Sequence, residues 1–373
     1  MMKVLFVSSL PSYYTHENSS YMQRLHFLKE GLTNLGVHTD FISLGDLKFG
    51  KPALISPLTF RKININIDDY DFVHAGGLGA AYALSLIKLF SNFQSKIIYD
   101  VHGDVIAETK LLKKHLIDIP TYYKILQAII MEHFARRNCD FFITCSKPLK
   151  NLYMSKGIET KKIVVIYNGI DIEFFKPLNL KKHENNFVVT YAGGFQRYQG
   201  IELLINAAEK IEDRTILFQI IGFREETKFL KNQIKERLNN RVKLIDAVSR
   251  EELLQYLNIS DILVIPREEH KALEMAFPTK FAEFISTGNP VLLTDVAEVA
   301  QLVKKYHCGY VCEPSYESLA ESILKMRNLN SEKLAFMGKN GNKLAKDLLN
   351  KDIISHKYYG MLKYWKKLED NNE

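Results

Sequence analysis

With 373 residues, the chain is too long for one ordinary hydrophobic core, so two domains are expected. Hydrophobic residues make up 46% and charged residues 25%, as in soluble globular proteins, and no run of about 18 apolar residues predicts a transmembrane helix. The four cysteines are too few for a disulfide framework and predict reduced thiols in a cytoplasmic protein, with no metal site.

The net charge of +7 is concentrated in the first half of the chain. Residues 1–170 contain 20 Lys and Arg against 14 Asp and Glu, whereas the remainder is nearly balanced. A basic surface could meet nucleic acid, an anionic membrane or an anionic substrate. The basic residues do not alternate with aromatic residues and no nucleic-acid motif is present, so no nucleic-acid partner is predicted.

The first half alternates apolar runs of strand length with segments of helical spacing. Strands are predicted at Lys3–Ser9, Val37–Leu44, Asp71–Ala75, Lys96–Val101, Asp140–Ser146 and Ile163–Ile166. This alternation predicts right-handed crossovers and a parallel sheet, whose ligand crevice lies beyond the carboxyl ends of its strands. His74, His102 and Asp104 fall at such ends. The glycines of Gly76–Gly79 are explained by a tight turn, and phosphate binding is the weaker alternative.

A helix predicted at Thr121–Arg137 lies in the most basic part of the chain. Between Lys110 and Lys150, eight Lys and Arg residues stand against three acids. A basic amphipathic helix can lie on an anionic membrane. A core helix with a solvated charged face explains the same pattern, and it is the simpler interpretation of this helix alone.

The polar segment Leu178–Asn186 is the predicted linker, after which a second alternation begins with the strand Phe187–Ala192 and the loop Gly193–Gly200. The predicted fold class is therefore α/β. One Rossmann-like domain is expected over residues 1–175 and a second over 187–350. Residues 351–373 are expected to form a C-terminal helix that can cross back to the first domain.

The stretch from Glu274 to Val291 is the most informative part of the second half. The turn formed by residues 278–280 can start a helix, and Gly288 stops it. Glu283 is the only acid within this helix. Its carboxylate could hold two vicinal hydroxyls, such as those of a ribose, but a solvated surface glutamate is equally consistent with the position alone.

Six segments together resemble one enzyme family. They read DVHGD (Asp100–Asp104), YNGID (Tyr167–Asp171), YAGGFQRYQGIELLINAA (Tyr191–Ala208), IIGF (Ile220–Phe223), SDILVIP (Ser260–Pro266) and PTKFAEFISTGNPV (Pro278–Val291). Their order and spacing resemble the retaining glycosyltransferases with the GT-B fold, and most closely glycosyltransferase family 4. The resemblance covers nearly the whole chain.

The resemblance implies two Rossmann-like domains whose parallel sheets face a central cleft. The second domain would hold a nucleotide-diphospho-sugar and the first a glycan or lipid-linked acceptor, with no metal and no other cofactor. Such enzymes build surface polysaccharides, so a cytoplasmic protein at the inner face of the cell membrane is expected. Under this interpretation Lys113, Lys114, Arg136 and Arg137 would dock the first domain on an anionic membrane surface.

The resemblance also implies roles for individual residues. His102 would face the donor sugar, and His16 and Asp104 would lie on the acceptor side. A glycine-rich loop at a helix amino end would offset the diphosphate charge, together with cationic side chains. The expected donor contacts are Gly193, Gly194, Gln199, Gly222, Phe223, Glu274, Thr279 and Glu283, with Glu283 on the ribose.

The sequence departs from the family pattern at three positions. The usual loop has an Arg and a Lys where this chain has Gly194 and Gln199, and Met275 replaces the first Glu of the Glu-x7-Glu signature. Arg197 and Lys280 are the candidate replacement cations and complete the catalytic set with His102.

Two alternatives remain open beside the glycosyltransferase. A sugar-nucleotide epimerase on the same fold would act without an acceptor. A non-catalytic relative that binds a nucleotide or a partner enzyme would explain the missing family residues.

Overall fold

The computed structural model describes residues 1–10, 20–46, 66–91, 93–111, 119–182 and 185–370. The chain divides into two compact units, the first being Met1–Gly169 with Lys351–Glu373, and the second Ile170–Asn350. The polar segment near residue 180 belongs to the second unit. There the Leu178 amide donates to Asn258 Oδ1 over 2.7 Å, and Lys182 Nζ donates to Asn289 Oδ1 over 2.9 Å.

The first unit is built on a six-stranded parallel sheet. Its strands are β1 (Lys3–Ser8), β2 (His38–Ser43), β3 (Phe72–Gly76), β4 (Lys96–Val101), β5 (Phe141–Thr144) and β6 (Ile163–Val165). The order across the sheet is β2-β1-β3-β4-β5-β6. Most strand residues are buried, as the continuous apolar runs require when helices cover both faces.

Five described helices of the first unit follow these strands. They are α1 (Ser20–Asn34), α2 (Gly77–Ser91), α3 (Val105–Leu111), α4 (Ile119–Asn138) and α5 (Lys147–Ser155). The helix predicted at Thr121–Arg137 corresponds to α4. Helices α3 and α5 were not predicted, although both begin at side-chain caps. The Ala107 amide donates to Asp104 Oδ1 over 3.1 Å, and the Leu149 amide donates to Ser146 Oγ over 3.2 Å.

The second unit repeats this architecture. Its strands are β7 (Phe187–Ala192), β8 (Ile216–Phe223), β9 (Val242–Asp246), β10 (Ile262–Ile265), β11 (Val291–Thr294) and β12 (Gly309–Cys312). They form a six-stranded parallel sheet in the order β12-β11-β10-β7-β8-β9. The strand order reverses between β7 and β10, and ligands of open parallel sheets bind beyond the carboxyl ends of the strands at such a point.

Eight described α-helices belong to the second unit. They are α6 (Ile201–Lys210), α7 (Lys228–Leu238), α8 (Arg250–Asn258), α9 (Lys271–Met275), α10 (Thr279–Ser286), α11 (Glu298–Tyr306), α12 (Tyr316–Arg327) and α13 (Ser331–Leu344). The helix predicted to start near Pro278 is α10. Helix α11 was not predicted, although its inner face carries Val299, Ala300 and Val303 at helical spacing.

The last helix, α14 (Lys351–Asp370), returns to the first unit. Its Trp365 ring stacks on Phe141 with the centroids 4.5 Å apart, and its Tyr358 hydroxyl reaches His74. Tyr358, Leu362 and Trp365 are fully buried, so this helix is part of the core of the first unit. Across the described residues, no helix is both long and apolar enough to cross a membrane.

Candidate functional site

The loop after β7 approaches two neighbouring backbone segments too closely for side chains. Gly193 has a φ of +139°, and a Cβ on Gly222 would lie 2.5 Å from the Gly193 carbonyl oxygen. Gly200 caps α6 with a φ of +73°, and a Cβ there would lie 1.5 Å from the Pro266 carbonyl oxygen. These glycines hold the amino end of α6 against the ends of β8 and β10.

Lys280 places a buried ammonium group beside this loop. A Cβ on Gly193 would lie 2.5 Å from Lys280 Nζ, and the same Nζ lies 4.6 Å from the centroid of the Tyr191 ring. Within the described part of the chain, Nζ has no hydrogen-bond partner. Burial, together with the nearby Arg267, lowers the pKa of Lys280 to about 7, while Glu283 opposes this shift. The site therefore has the charge and position to receive an anion.

Glu283 follows Lys280 by three residues, so both side chains lie on one face of α10. Glu283 is half-buried. Burial raises the pKa of its carboxyl group, while Arg250 and Lys280 act in the opposite direction. The Arg250 guanidinium is itself held 5.0 Å from the Phe174 ring. The structure thus brings Lys280, Glu283 and the glycine loop of the second unit together.

Arg197 and Phe223 were also predicted to serve the donor site, but their surroundings differ from those of Lys280 and Glu283. The Arg197 side chain is 93% exposed, and its nearest ionic partner is Glu268 at 3.7 Å, so it does not share the Lys280 environment. The Phe223 side chain is buried in the core beneath Phe195, with ring centroids 4.3 Å apart. Its ring therefore packs in the hydrophobic core. Only the backbone of the neighbouring Gly222 is available to a ligand at the end of β8.

The remaining predicted positions of the second unit are scattered around the loop. Gln199 has a buried Oε1 with no hydrogen-bond partner among the residues described. Thr279 is half-buried at the start of α10, whereas Glu274 on α9 and Gly194 are exposed. In the described ranges, no cluster of three or more His, Cys, Asp or Glu residues is arranged to hold a metal ion.

In the first unit, His102 lines a cavity of about 230 Å³ at the end of β4. The ring of Tyr21 lies 5.0 Å from the His102 ring, and Gly77 and Glu108 line the same cavity. Asp104 caps α3, as described above. His16 falls outside the described residues, as do Lys113 and Lys114.

The carboxylate of Asp100 lies directly behind His102. Arg24 donates to it through Nε over 2.9 Å and through Nη2 over 3.0 Å. His74 Nε2 lies 3.3 Å and His102 Nε2 lies 3.5 Å from Asp100 Oδ2. Burial would raise the pKa of Asp100, but Arg24, followed by the two histidines, holds it well below its usual range. Asp100 belongs to the DVHGD segment, but no role was predicted for it from the sequence.

The solvent side of α4 carries large apolar side chains. Of the two interpretations left open by the sequence, the core helix is wrong for this face, because the buried residues of α4 are Thr121, Ala128, Glu132 and Ala135. The exposed side chains are Ile119, Tyr122, Tyr123, Leu126, Ile129 and Ile130, and each is at least 46% exposed. The only acid of α4, Glu132, is buried and paired with Lys156 over 2.5 Å. A face of this size on one helix is typical of an interaction surface.

Two family models match the chain in succession. The model described as Glycosyltransferase Family 4 matches residues 27–174, and the model described as Glycosyl transferases group 1 matches residues 172–344. The first match falls within the first unit almost entirely, and the second falls within the second unit.

Individual glycosyltransferases also match this chain. An uncharacterized glycosyltransferase of Methanocaldococcus jannaschii is 25% identical over 64% of this chain and 62% of its own length. A UDP-Gal:alpha-D-GlcNAc-diphosphoundecaprenol alpha-1,3-galactosyltransferase of Escherichia coli is 26% identical over 58% of this chain and 56% of its own length. The chain thus spans less than two thirds of both relatives. Among solved structures, sucrose-phosphate synthase from Thermosynechococcus elongatus matches with a TM-score of 0.76 and 18% identity over 100% of both chains, which shows the GT-B fold.

Proposed function

Because this chain belongs to the family 4-like glycosyltransferases with the GT-B fold, we propose that it transfers a sugar from a nucleotide-diphospho-sugar to a glycan or lipid-linked acceptor. This transfer would be one step in the synthesis of a surface polysaccharide. A uridine nucleotide is the first donor to test, because the galactosyltransferase relative is named for a UDP-sugar.

The buried ammonium group of Lys280 carries this proposal. A cation without a hydrogen-bond partner is costly in a folded protein, and an incoming phosphate would remove that cost. Gly193 lies against the same Nζ, so its backbone can approach a bound diphosphate without a side chain in the way. Lys280 therefore replaces the loop cations that are missing at Gly194 and Gln199, whereas the exposed Arg197 is the weaker candidate.

We propose a retaining reaction. The bond from the anomeric carbon to the diphosphate oxygen breaks, and a bond from that carbon to the acceptor oxygen forms on the same face. The acceptor proton passes to the leaving phosphate, so no separate base is needed. Lys280 stabilises the negative charge on the leaving group, Glu283 binds the ribose hydroxyls, and His102 contacts the transferred sugar.

Isothermal titration calorimetry with UDP tests the donor site. In Lys280→Met, affinity should fall about tenfold to a hundredfold, because a charge-assisted hydrogen bond contributes about 1.5–3 kcal/mol. Lys339→Met is the matched control, since Lys339 is exposed on α13. Equal affinity of Lys280→Met and wild type for every nucleoside diphosphate tested would contradict the assignment.

Turnover separates the enzyme from its alternatives. Incubation of the wild type with a UDP-sugar alone should leave the sugar nucleotide unchanged, whereas an isomerised sugar would identify an epimerase. Nucleotide binding without transfer to any glycan or polyprenyl-diphosphate acceptor would favour a non-catalytic binding protein, which Met275, Gly194 and Gln199 make a real alternative.

We also propose that α4 docks the protein on an anionic membrane. Arg137 lies on the same side of α4 as the exposed apolar face, and Lys124 is exposed elsewhere on the helix, while the one acid of α4 is buried. Arg136 contributes less than expected from the sequence, because it donates to the Lys156 carbonyl oxygen over 2.7 Å. A helix with an apolar face and basic neighbours suits the headgroup region of an anionic bilayer, which is where a lipid-linked acceptor would be met.

Co-sedimentation with vesicles that contain phosphatidylglycerol tests this surface. Combined replacement of Tyr123, Leu126 and Ile130 by Ser should abolish binding, whereas Phe229→Ser, at an exposed position of the second unit, should not. Binding that survives the triple replacement would rule out α4 as the docking surface. Concentration-dependent dimerisation that the same variant abolishes would instead identify a second copy of the chain as its partner.

A further inference from the structure

A group of buried polar side chains lies behind His102 and has no part in the proposed reaction. Its members are Arg24 on α1, His74 on β3, Asp100 on β4 and Tyr358 on α14. None of these four residues is more than 4% exposed. Polar groups buried to this degree require partners within the protein.

The geometry around Asp100 defines where the histidine protons are. His74 Nε2 and His102 Nε2 face the same carboxylate oxygen, at 3.3 Å and 3.5 Å. Neither contact has the geometry of a full hydrogen bond, but a ring nitrogen lone pair this close to a carboxylate oxygen would be repelled, so each Nε2 carries a hydrogen. Arg24 occupies the other side of the carboxylate through Nε and Nη2, and its Nη1 donates to Asn168 Oδ1 over 3.1 Å.

Tyr358 completes this arrangement from the last helix of the chain. Its hydroxyl group lies 2.7 Å from His74 Nδ1. With the hydrogen of His74 on Nε2, Nδ1 is an acceptor and the Tyr358 hydroxyl is the donor. Burial raises the pKa of Tyr358 well above its ordinary value, which keeps this hydroxyl protonated.

The charges of the group balance without a protonated histidine. Arg24 supplies one positive charge and Asp100 one negative charge, so an imidazolium would add an unpaired charge to a buried site. Burial lowers the pKa of His74, and it lowers the pKa of His102 to about 4, although Asp100 acts against both shifts. Both rings are therefore neutral near pH 7.

The His102 ring has one nitrogen left for a ligand. Its Nε2 is buried, while 25% of the side chain is exposed. Nδ1 has no hydrogen-bond partner among the described residues. The ring is further held by Tyr21, and the Cys145 thiol donates to the His102 carbonyl oxygen over 3.1 Å.

We propose that Arg24, His74, Asp100 and Tyr358 are positioning residues that hold His102 as a neutral imidazole with its hydrogen on Nε2. Nδ1 is then fixed as an acceptor for a sugar hydroxyl, a consequence that rests on the proposed function. The C-terminal helix thereby contributes to the state of a site residue more than 250 positions earlier in the chain.

Nuclear magnetic resonance of protein labelled with ¹⁵N-histidine tests the protonation state without any substrate. Two-bond ¹H–¹⁵N correlations should show both rings neutral with the hydrogen on Nε2 at pH 7, and His102 should stay neutral to about pH 5. His74→Gln and His102→Gln assign the signals. A hydrogen on His102 Nδ1, or a His102 imidazolium at pH 6, would overturn the proposal. The wild-type spectrum decides this point even where a network variant fails to fold.

Kinetics with Asp100→Asn test the positioning role. The kcat should fall about tenfold to a hundredfold, because His102 loses the carboxylate that fixes its ring, with less than about a threefold change in KM for the donor. Asp140→Asn is the matched control, because Asp140 is a paired carboxylate of the same unit that accepts from Lys88 Nζ over 2.8 Å. It should lose stability and keep its kcat.

The outcomes separate this proposal from the proposed function. Equal losses of kcat in Asp100→Asn and Asp140→Asn would mean a purely structural role and would overturn the proposal. If the predicted tautomers are observed while His102→Gln transfers sugar at the wild-type rate, the positioning group stands and the role of His102 in the reaction fails.

Discussion

The ammonium group of Lys280 lies 4.6 Å from the centroid of the Tyr191 ring, and no acceptor in the described residues hydrogen-bonds it. The Tyr191 ring and the Glu283 carboxylate are its favourable neighbours in the described part of the second unit. A cation–π contact offsets only part of the desolvation of an ammonium group. The empty protein thus carries a cost at Lys280 that a bound phosphate would relieve.

Replacement of Lys280 by Met should stabilise the ligand-free protein. Burial lowers the pKa of Lys280 from 10.5 to about 7, so the unfolded chain binds more protons than the folded protein between these pH values. The penalty is complete below pH 7 and disappears as the pH rises toward 10.5. Thermal unfolding should show Lys280→Met above the wild type at pH 6.5, with a difference that shrinks by pH 9.5. A wild type that is the more stable at pH 6.5 would contradict the unpaired charge.

Glu283→Ala should weaken or abolish donor binding, because its carboxylate would hold the ribose hydroxyls. Glu283→Gln should lose less, since an amide oxygen can still accept one hydrogen bond. Calorimetry with UDP and with uridine distinguishes the ribose contact from a phosphate contact, because uridine lacks the diphosphate. Wild-type affinity for UDP in Glu283→Ala would remove this residue from the site.

Tyr358→Phe should destabilise the protein without changing its fold. The change deletes one hydroxyl group and leaves His74 Nδ1 buried without its donor, which costs about 1–3 kcal/mol. Urea unfolding at pH 7 measures the loss. Tyr359→Phe is the neighbouring control. Equal midpoints for the wild type and Tyr358→Phe would show that the hydroxyl group makes no net contribution.

Gly200→Ala should be strongly destabilising, because a Cβ would lie 1.5 Å from the Pro266 carbonyl oxygen at a φ of +73°. A loss of at least about 2–3 kcal/mol is expected from the strained backbone and the displaced loop. Gly360→Ala in α14 should stabilise by about 0.5–1 kcal/mol, since nothing lies within 4 Å of its added Cβ. Denaturant unfolding should show a lower free energy of unfolding for Gly200→Ala and a higher one for Gly360→Ala than for the wild type.

The sequence predicted the parts of the fold that depend on local patterns. Continuous apolar runs predicted the six strands of the first sheet and β7 of the second, and the turn at Pro278 predicted the start of α10. The missed helices α3 and α5 have only seven and nine residues, about two turns each, so their helical periodicity is hard to recognise even after the caps Asp104 and Ser146. Boundaries set by such weak signals depend on tertiary contacts.

The site was less predictable, because its determining contacts join distant residues. Arg24 and Asp100 are 76 positions apart, and His74 and Tyr358 are 284 positions apart, so no local pattern links them. Lys280 was a candidate from its motif alone, but its burial beside Gly193 depends on how α10 packs on the loop after β7. Arg197 had the same charge and the opposite exposure, and composition could not separate the two.

Proton uptake on UDP binding tests the central claim most directly. At pH 8, Lys280 should be largely neutral in the free protein, and a bound diphosphate should recharge it. Calorimetry in two buffers of different ionisation enthalpy should therefore give an uptake approaching one proton for the wild type and near zero for Lys280→Met. The same small uptake in both proteins at pH 8, with equal affinity for UDP, would contradict a diphosphate site at Lys280.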